Sequence, residues 1–276
     1  IGVAAHLVNF FGTDTEAGVL CAMDYYNADV CGYSVMAAEH STVTAYGREN
    51  EELAYKSFIE RCPENALLSI VCDSYDTINA VDNIFGKHLK DLILSRSGKI
   101  VVRPDSGNPV KVSLQVLELL WNNFGGTINE KGYKVLNPKV GMIYGDGIDY
   151  YMINSILSNV VSNGFAPSNL VFGMGGALLQ KLDRDTHKFA LKCSAVNISE
   201  QWYDVCKKPV TDDGKSSKAG KLHLLKDEHN EFKTINDKLF NPLSMNDELI
   251  TVFENGVITK EYSFNEIRER SNTFIN

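Results

Sequence analysis

A charged turn follows the apolar run Ile100–Val102 and is the most informative chemical feature of the sequence. It reads Arg103-Pro104-Asp105-Ser106-Gly107-Asn108-Pro109, so one turn carries a cation and a carboxylate. Arginine is suited to holding a phosphate, whereas a carboxylate can bind sugar hydroxyls, or Mg²⁺ through water. The turn therefore predicts a binding site. The alternative is an internal Arg103–Asp105 ion pair that holds the turn.

Two glycine-rich turns follow later apolar runs. Gly145-Asp146-Gly147 comes after Val140–Tyr144, and Gly173-Met174-Gly175-Gly176 comes after Leu170–Phe172. Without side chains, backbone N–H groups can approach an anion closely, and a following helix adds its dipole. Tight turns also need glycine. Two such turns in succession, with Arg184 a little further on, favour a phosphate site.

A histidine and three aspartates complete the candidate set. His40 stands beside Glu39, ahead of Ser41-Thr42 at the predicted start of a helix, where it could take or stabilise charge near a phosphate. An isolated histidine is more often structural. Asp73, Asp105 and Asp146 could surround one cavity and bind Mg²⁺ or sugar hydroxyls, or act as acid and base. The same acids fit a glycosidase. The glycine turns favour a sugar phosphate.

The spacing of these residues predicts the elements that position them. Intervals of 32, 41 and 29 residues separate Asp73, Asp105, Asp146 and Gly175. Such intervals fit βα units, and continuous apolar runs suit parallel strands that are covered on both faces. Apolar periodicity predicts helices over 74–85, 110–124 and 150–161. The sequence therefore predicts an α/β barrel whose active site lies at the carboxyl ends of the strands.

The regular pattern stops near residue 197, which predicts a barrel domain over 1–200 and an appendage over 201–276. Six lysines fall between Lys207 and Lys226, and this stretch predicts a flexible basic loop. The Asn255-Gly256 turn lies between apolar runs and predicts a β-hairpin over 249–259. A short helix is predicted over 264–271.

Composition excludes several classes of protein. The chain has 276 residues, of which 44% are hydrophobic, and 35 acidic against 27 basic side chains give a net charge of −8. No apolar stretch is long enough to span a membrane, and the acidic balance argues against a general nucleic-acid partner. The six cysteines form no CxxC pair, and reduced thiols predict a cytoplasmic location. Cys72 and Cys193 lie in apolar runs that predict burial.

Seven motifs together resemble one known family. In order, they are Gly12-Thr13-Asp14-Thr15, Gly32-Tyr33-Ser34-Val35, Ala38-Glu39-His40-Ser41-Thr42, Asp73-Ser74-Tyr75-Asp76, Arg103-Pro104-Asp105-Ser106-Gly107-Asn108-Pro109, Gly145-Asp146-Gly147 and Gly175-Gly176. This ordered set is similar to that of the nicotinate/nicotinamide phosphoribosyltransferase family. The resemblance covers most of the chain.

The resemblance implies an activity and its cofactors. Members transfer 5-phosphoribose from phosphoribosyl diphosphate to nicotinamide, giving nicotinamide mononucleotide and diphosphate in NAD salvage. They are homodimers with an irregular, TIM-like type II barrel, and they use Mg²⁺, with ATP as a coupling substrate. His40 matches the family's catalytic histidine, which is phosphorylated in ATP-coupled turnover. Asp14 matches the acid that accepts a hydrogen bond from the nicotinamide carboxamide.

Further roles come from the same resemblance. His40, Asp73 and Asp105 are the implied catalytic residues, and the two aspartates are also implied metal ligands, directly or through water. The implied substrate-binding residues are Asp14, Arg103, Gly145, Asp146, Gly175, Gly176, Arg184, Lys207 and Lys215.

Three alternatives stay open at this stage. Asp14 could belong to an ordinary turn and cap. The protein could instead be a relative that uses nicotinate, although Asp14 would repel the carboxylate of that substrate. The chain begins at Ile1, where family members are already past an N-terminal region that helps to bind nicotinamide, so a catalytically incomplete fragment that acts as a binding module is the third reading.

Overall fold

The computed structural model describes residues 1–179, 192–206 and 216–273. The chain forms two units. Unit 1 comprises Ile1–Leu182 with Arg268–Asn276, and unit 2 comprises Asp183–Ile267.

The described residues form helices and strands whose bounds follow here. The α-helices are α1 Gly2–His6, α2 Glu16–Tyr26, α3 His40–Thr44, α4 Glu51–Arg61, α5 Thr77–Asn79, α6 Lys90–Ser95, α7 Pro109–Phe124, α8 Tyr150–Ser162, α9 Gly176–Leu179 and α10 Phe264–Asn272. The strands are β1 Met36–Ala37, β2 Leu68–Val71, β3 Ile100–Arg103, β4 Gly126–Ile128, β5 Lys134–Leu136, β6 Val140–Tyr144, β7 Leu170–Phe172, β8 Ala195–Ile198, β9 Gln201–Asp204, β10 Leu222–Lys226, β11 Phe232–Asn236, β12 Phe253–Glu254 and β13 Val257–Ile258. A π-helix spans Ala80–His88, and 3₁₀ turns span Arg48–Asn50, Pro167–Asn169 and Asp237–Leu239.

A five-stranded parallel sheet forms the centre of unit 1, in the order β1-β2-β3-β6-β7. All four residues of β2 are buried, as continuous apolar runs require in a sheet covered on both faces. The predicted parallel strands are therefore confirmed. A closed barrel is not seen in the described residues, where the sheet is open, with β1 and β7 at its edges.

Helices connect the strands and bury their apolar faces on the sheet. α7 packs against α8, β6 and the π-helix, and both predicted helices, over 110–124 and 150–161, are confirmed. Asp149 caps α8 by accepting a hydrogen bond from Met152 N at 2.9 Å. The helix predicted from residue 74 begins instead at Thr77, because the Asp76 carboxylate caps it there by accepting from Asn79 N.

Three antiparallel hairpins form in unit 2: β8 with β9, β10 with β11, and β12 with β13. The last confirms the hairpin predicted around Asn255-Gly256. The prediction of a flexible loop reaching Lys226 is wrong over β10, where Leu222–Lys226 pairs with Phe232–Asn236. The predicted terminal helix is confirmed as α10.

Two predictions from composition also have outcomes. Cys72 is fully buried as predicted, but Cys193 is exposed, so the prediction of its burial is wrong. Among the described residues, no helix combines the length and apolar character that crossing a bilayer requires.

Candidate functional site

His40 and Asp73 form the centre of the site. His40 is the first residue of α3 and comes three residues after the end of β1, and Asp73 comes two residues after the end of β2. The parallel pairing of these strands therefore brings both side chains to one edge of the sheet. His40 Nε2 lies 2.9 Å from Asp73 Oδ1, and the Asp73 side chain is only 5% exposed. On the other side, His40 Nδ1 lies 3.4 Å from Glu39 Oε1. The imidazole is thus held between two carboxylates.

Two opposing effects set the pKa of His40. Burial favours the neutral ring and lowers the pKa, but the hydrogen bond and charge of Asp73 raise it, with further contributions from Glu39 and Asp105. The carboxylates prevail, and the pKa of His40 lies above its ordinary value of 6.5. The pKa of Glu39 is lowered, chiefly by the hydrogen bond it accepts from the His40 backbone N–H. The neighbouring carboxylates therefore favour the cationic form of the imidazole.

Glu39 also fixes the backbone at this point. It is the N-cap of α3, and its backbone N–H bonds Thr42 Oγ1 in a capping box. Its second carboxylate oxygen lies 3.6 Å from Arg103 Nη2. Glu39 thus joins the ends of β1 and β3 and orients the histidine that follows it.

Arg103, the last residue of β3, lies beside this pair. Its Nη2 donates to Ala38 O at 3.0 Å, and its nearest carboxylate partner is Glu39. The alternative of an internal Arg103–Asp105 ion pair is not found among the described contacts. The buried Nε of Arg103 and the buried hydroxyl of Ser74 have no hydrogen-bond partner in the described protein.

The buried Tyr144 is exposed to the charges of Asp73, Asp105 and Asp146. Burial first, and then the charges of Asp146, Asp105 and Asp73, raise the pKa of Tyr144 to about 12. The tyrosine O–H donates to Ser106 O at 3.2 Å, which ties the end of β6 to the turn after β3. The charges of all three acids thus act on one tyrosine, and their gathering around one cavity, like their roles, stays a prediction.

The glycine turns bring strand ends close together. A Cβ on Gly173 would lie 3.5 Å from Gly145 Cα, and one on Gly145 would lie 3.7 Å from Asp105 Oδ1. Gly175 has no neighbour within 4 Å of such a position, and Gly176 begins α9. The turns after β6 and β7 thus lie beside Asp105. Three predicted binding residues, Arg184, Lys207 and Lys215, lie outside the described residues.

Asp14 lies in a separate tethered loop. Ser34 Oγ donates to Asp14 Oδ1 at 2.5 Å, two residues before β1. Thr13 N donates to Tyr33 O at 2.9 Å, and Tyr33 N donates to Phe11 O at 2.8 Å. The loop is therefore fixed to the segment that leads into the His40 strand. No hydrogen bond within the described chain joins Asp14 to His40 or Asp73.

Glu39, Ser34 and Tyr144 are site residues that the sequence reasoning did not assign. Glu39 was noted only as a neighbour of His40, although the spacing of Glu39 and Thr42 matches a capping arrangement. Ser34 and Tyr144 give no such signal, because their contacts depend on segments that are distant in sequence. Their contribution is visible only from the fold.

The donor set can be tested against Mg²⁺. The described residues contain no cluster of three or more histidine, cysteine or acidic side chains that could hold a metal unaided. However, Mg²⁺ is commonly bound through one or two carboxylates together with substrate phosphates and water. The charges of Asp73 and Asp105 both act on His40 and Tyr144, which makes these two carboxylates the candidate pair for such a site.

Comparison with known proteins identifies the family. The sequence model described as "Nicotinate phosphoribosyltransferase (NAPRTase) family" matches residues 1–256. The chain belongs to this family. It is similar to proteins named "Nicotinamide phosphoribosyltransferase" from Xanthomonas campestris (46% identity over 97% of this chain), Mycoplasma pneumoniae (42% over 79%) and Acinetobacter baylyi (36% over 96%). The chain spans about half the length of these relatives, namely 58%, 49% and 56%.

Proposed function

We propose that the full-length protein containing this chain transfers 5-phosphoribose from phosphoribosyl diphosphate to nicotinamide, giving nicotinamide mononucleotide and diphosphate in NAD salvage. The observation that carries the proposal is the His40–Asp73 pair beside Arg103 at the carboxyl ends of β1–β3. It lies in a chain of this family whose similar relatives are named for the nicotinamide reaction.

The strand ends provide suitable groups for phosphoribosyl diphosphate. The Arg103 guanidinium and the open backbone around Gly145 and Gly175 would hold phosphate oxygens. Arg184, Lys207 and Lys215 would add cations from outside the described residues. Asp105 and Asp146 would accept hydrogen bonds from ribose hydroxyls and stabilise positive charge as it develops on the ribose ring.

Asp73 and Asp105 would hold Mg²⁺, which when bound neutralises charge on the leaving diphosphate. Nicotinamide attacks through its ring nitrogen, which carries no proton to remove. The protein therefore needs to place the ring rather than deprotonate it. Asp14 would do this by accepting a hydrogen bond from the carboxamide, with its other contact made by Ser34. A carboxylate at this place would repel nicotinate, so the amide is preferred.

His40 would couple ATP to the reaction: the unprotonated ring nitrogen of the neutral imidazole would attack the γ-phosphorus of ATP, the bond from that phosphorus to the ADP oxygen would break, and ADP would leave. Its carboxylate neighbours would orient the ring and stabilise the positive charge that the ring gains as its nitrogen bonds to phosphorus. The proposal includes the closed type II barrel and the homodimer that the family resemblance implies. It also includes the cytoplasmic location expected from reduced cysteines and the domain boundary near residue 200 expected from the end of the regular pattern.

Formation of nicotinamide mononucleotide by the full-length protein tests the proposal. The assay contains phosphoribosyl diphosphate, Mg²⁺ and equal nicotinamide and nicotinate, with and without ATP. We expect the nicotinamide product to dominate. Asp14→Ala should impair nicotinamide use while sparing phosphoribosyl diphosphate binding, and His40→Ala should abolish stimulation by ATP. Preference for nicotinate would support the alternative substrate, and no product from a folded protein would support a binding module.

A further inference from the structure

Arg268, in the middle of α10, makes an unusual set of contacts with the N-terminal part of unit 1. Its Nε and Nη2 donate to Leu7 O at 2.9 and 2.8 Å, and Nη2 also donates to Cys31 O at 2.7 Å. Its guanidinium carbon lies 4.4 Å from the centre of the Phe11 ring. One side chain therefore joins two segments that are 24 residues apart in the chain.

These two segments are the ones that carry Asp14 and Ser34. From Leu7, the chain runs through Phe11 to Asp14, and from Cys31 it runs through Tyr33 to Ser34. The backbones of Phe11 and Tyr33 are hydrogen-bonded at 2.8 Å. We call the segments 7–14 and 31–34 the two arms. They meet in the hydrogen bond that Ser34 Oγ donates to Asp14 Oδ1.

Both arms are packed tightly at their base. Leu7 is fully buried and Cys31 is 3% exposed. A Cβ on Gly32 would lie 2.9 Å from the Thr13 side chain and 3.0 Å from that of Leu7, so the arms meet where glycine alone fits. A shift of the Leu7 and Cys31 carbonyls therefore moves the arms rather than being absorbed locally.

From this geometry we propose that Arg268 is a positioning residue for Asp14, and through it for the nicotinamide carboxamide. The inference deepens the proposed function and rests on it. Arg268 touches neither substrate. It fixes the separation of the two arms, and so sets where the Asp14 carboxylate lies when the nicotinamide ring binds. Loss of the guanidinium would allow the arms to separate and would misplace this one hydrogen-bond acceptor.

The test is a KM comparison in the full-length protein. Arg268→Met retains much of the side-chain length but removes the donors, and we expect the KM for nicotinamide to rise about 10-fold or more, because small misplacements can cost up to about 100-fold. The KM for phosphoribosyl diphosphate should stay unchanged.

Two variants serve as controls. Asn9→Ala removes a different hydrogen bond to α10, which Asn9 Nδ2 donates to Ser271 Oγ at 2.6 Å, and Arg270→Met makes the same substitution at an exposed position of that helix. Neither control should change nicotinamide use.

A double-mutant cycle with Asp14→Ala separates positioning from general stability. If Arg268 acts through Asp14, adding Arg268→Met to the Asp14→Ala protein causes little further rise in the nicotinamide KM. Equal changes in both KM values, an unchanged nicotinamide KM, or full additivity in the cycle would overturn the inference. If Arg268→Met fails to fold, Arg268→Lys in the same cycle gives the same decision. An inactive wild-type protein would instead refute the proposed function.

Discussion

Replacing Asp73 with asparagine should weaken the charged form of His40 while preserving the shape of the site. His40 Nε2 lies 2.9 Å from Asp73 Oδ1, and asparagine can still offer an oxygen there. A charged hydrogen bond contributes about 1.5–3 kcal/mol and a neutral one about 0.5–1.5, so the loss is about 1–1.5 kcal/mol. This equals about 5- to 13-fold in a rate whose transition state places positive charge on the His40 ring. Because the His40 side chain is 36% exposed, solvent screening favours the lower end.

Two measurements check this expectation. An NMR titration of the His40 ring without substrates or Mg²⁺ isolates the pair from any role of Asp73 in binding. The wild-type midpoint should lie above 6.5, and Asp73→Asn should lower it, because burial still opposes the cation once the carboxylate is gone. The rate of ATP-coupled turnover should fall in parallel. Asp91→Asn, at an exposed position of α6, is the control. An unchanged midpoint in Asp73→Asn would refute the reasoning.

Three further predictions concern the stability and titration of other parts of the chain. Arg96→Met should lower the free energy of unfolding by about 3 kcal/mol or more in urea titration, because the buried guanidinium donates to four backbone carbonyls in the last turn of α4 and the segment after it. Hydrogen bonds with Asp237 and Asp247 raise the pKa of His223. The stability that these bonds contribute is therefore fully present below pH 6.5 and is lost as the pH rises through the higher pKa of the folded protein. An NMR titration of His223 should show a lower midpoint in Asp237→Asn. Gly32→Ala should cost about 1–3 kcal/mol in thermal denaturation by overpacking, whereas Gly12→Ala, with no neighbour within 4 Å, should not.

The central strands and long helices could be predicted because their signals are local. β3 and β6 are continuous apolar runs, and α7 has an apolar stripe that begins at a proline after an asparagine cap. Each pattern follows from burying one face, or both faces, of a regular element. The parallel arrangement followed from the distances between runs, which leave room for a crossover helix.

The elements that escaped prediction depend on partners elsewhere in the chain. β1 has two residues, both exposed, and it is a strand because Met36 and Ala37 pair with β2. β10 is rich in leucine but follows a lysine-rich stretch, and its pairing with β11 defines it. A two-residue strand has no periodicity to detect. The number of strands in a sheet, and whether it closes, is likewise set by tertiary contacts.

In the site too, the features with a local sequence signal could be predicted, and the contacts between distant segments could not. The sequence predicted that Asp73, Asp105 and Asp146 would converge, because the carboxyl ends of parallel strands share an edge. It did not predict that His40 would bond Asp73, or that Arg103 would turn to Glu39, since both contacts cross between strands. The family resemblance implied a role for His40, and the fold shows that Asp73 is the acid that contacts its ring.

The charge of the site explains why its proposed substrate needs further cations. Three aspartates and Glu39 lie at the strand ends, where Arg103 already contacts Glu39. Phosphoribosyl diphosphate is strongly anionic, and acids at close range would repel it. We therefore expect binding to depend on Mg²⁺ held by Asp73 and Asp105, and on Arg184, Lys207 and Lys215. On this reasoning, the acids give a site that holds little anion until the metal is present. Chelation of Mg²⁺ should then abolish binding of phosphoribosyl diphosphate in calorimetry, and retained affinity would contradict this account of the site.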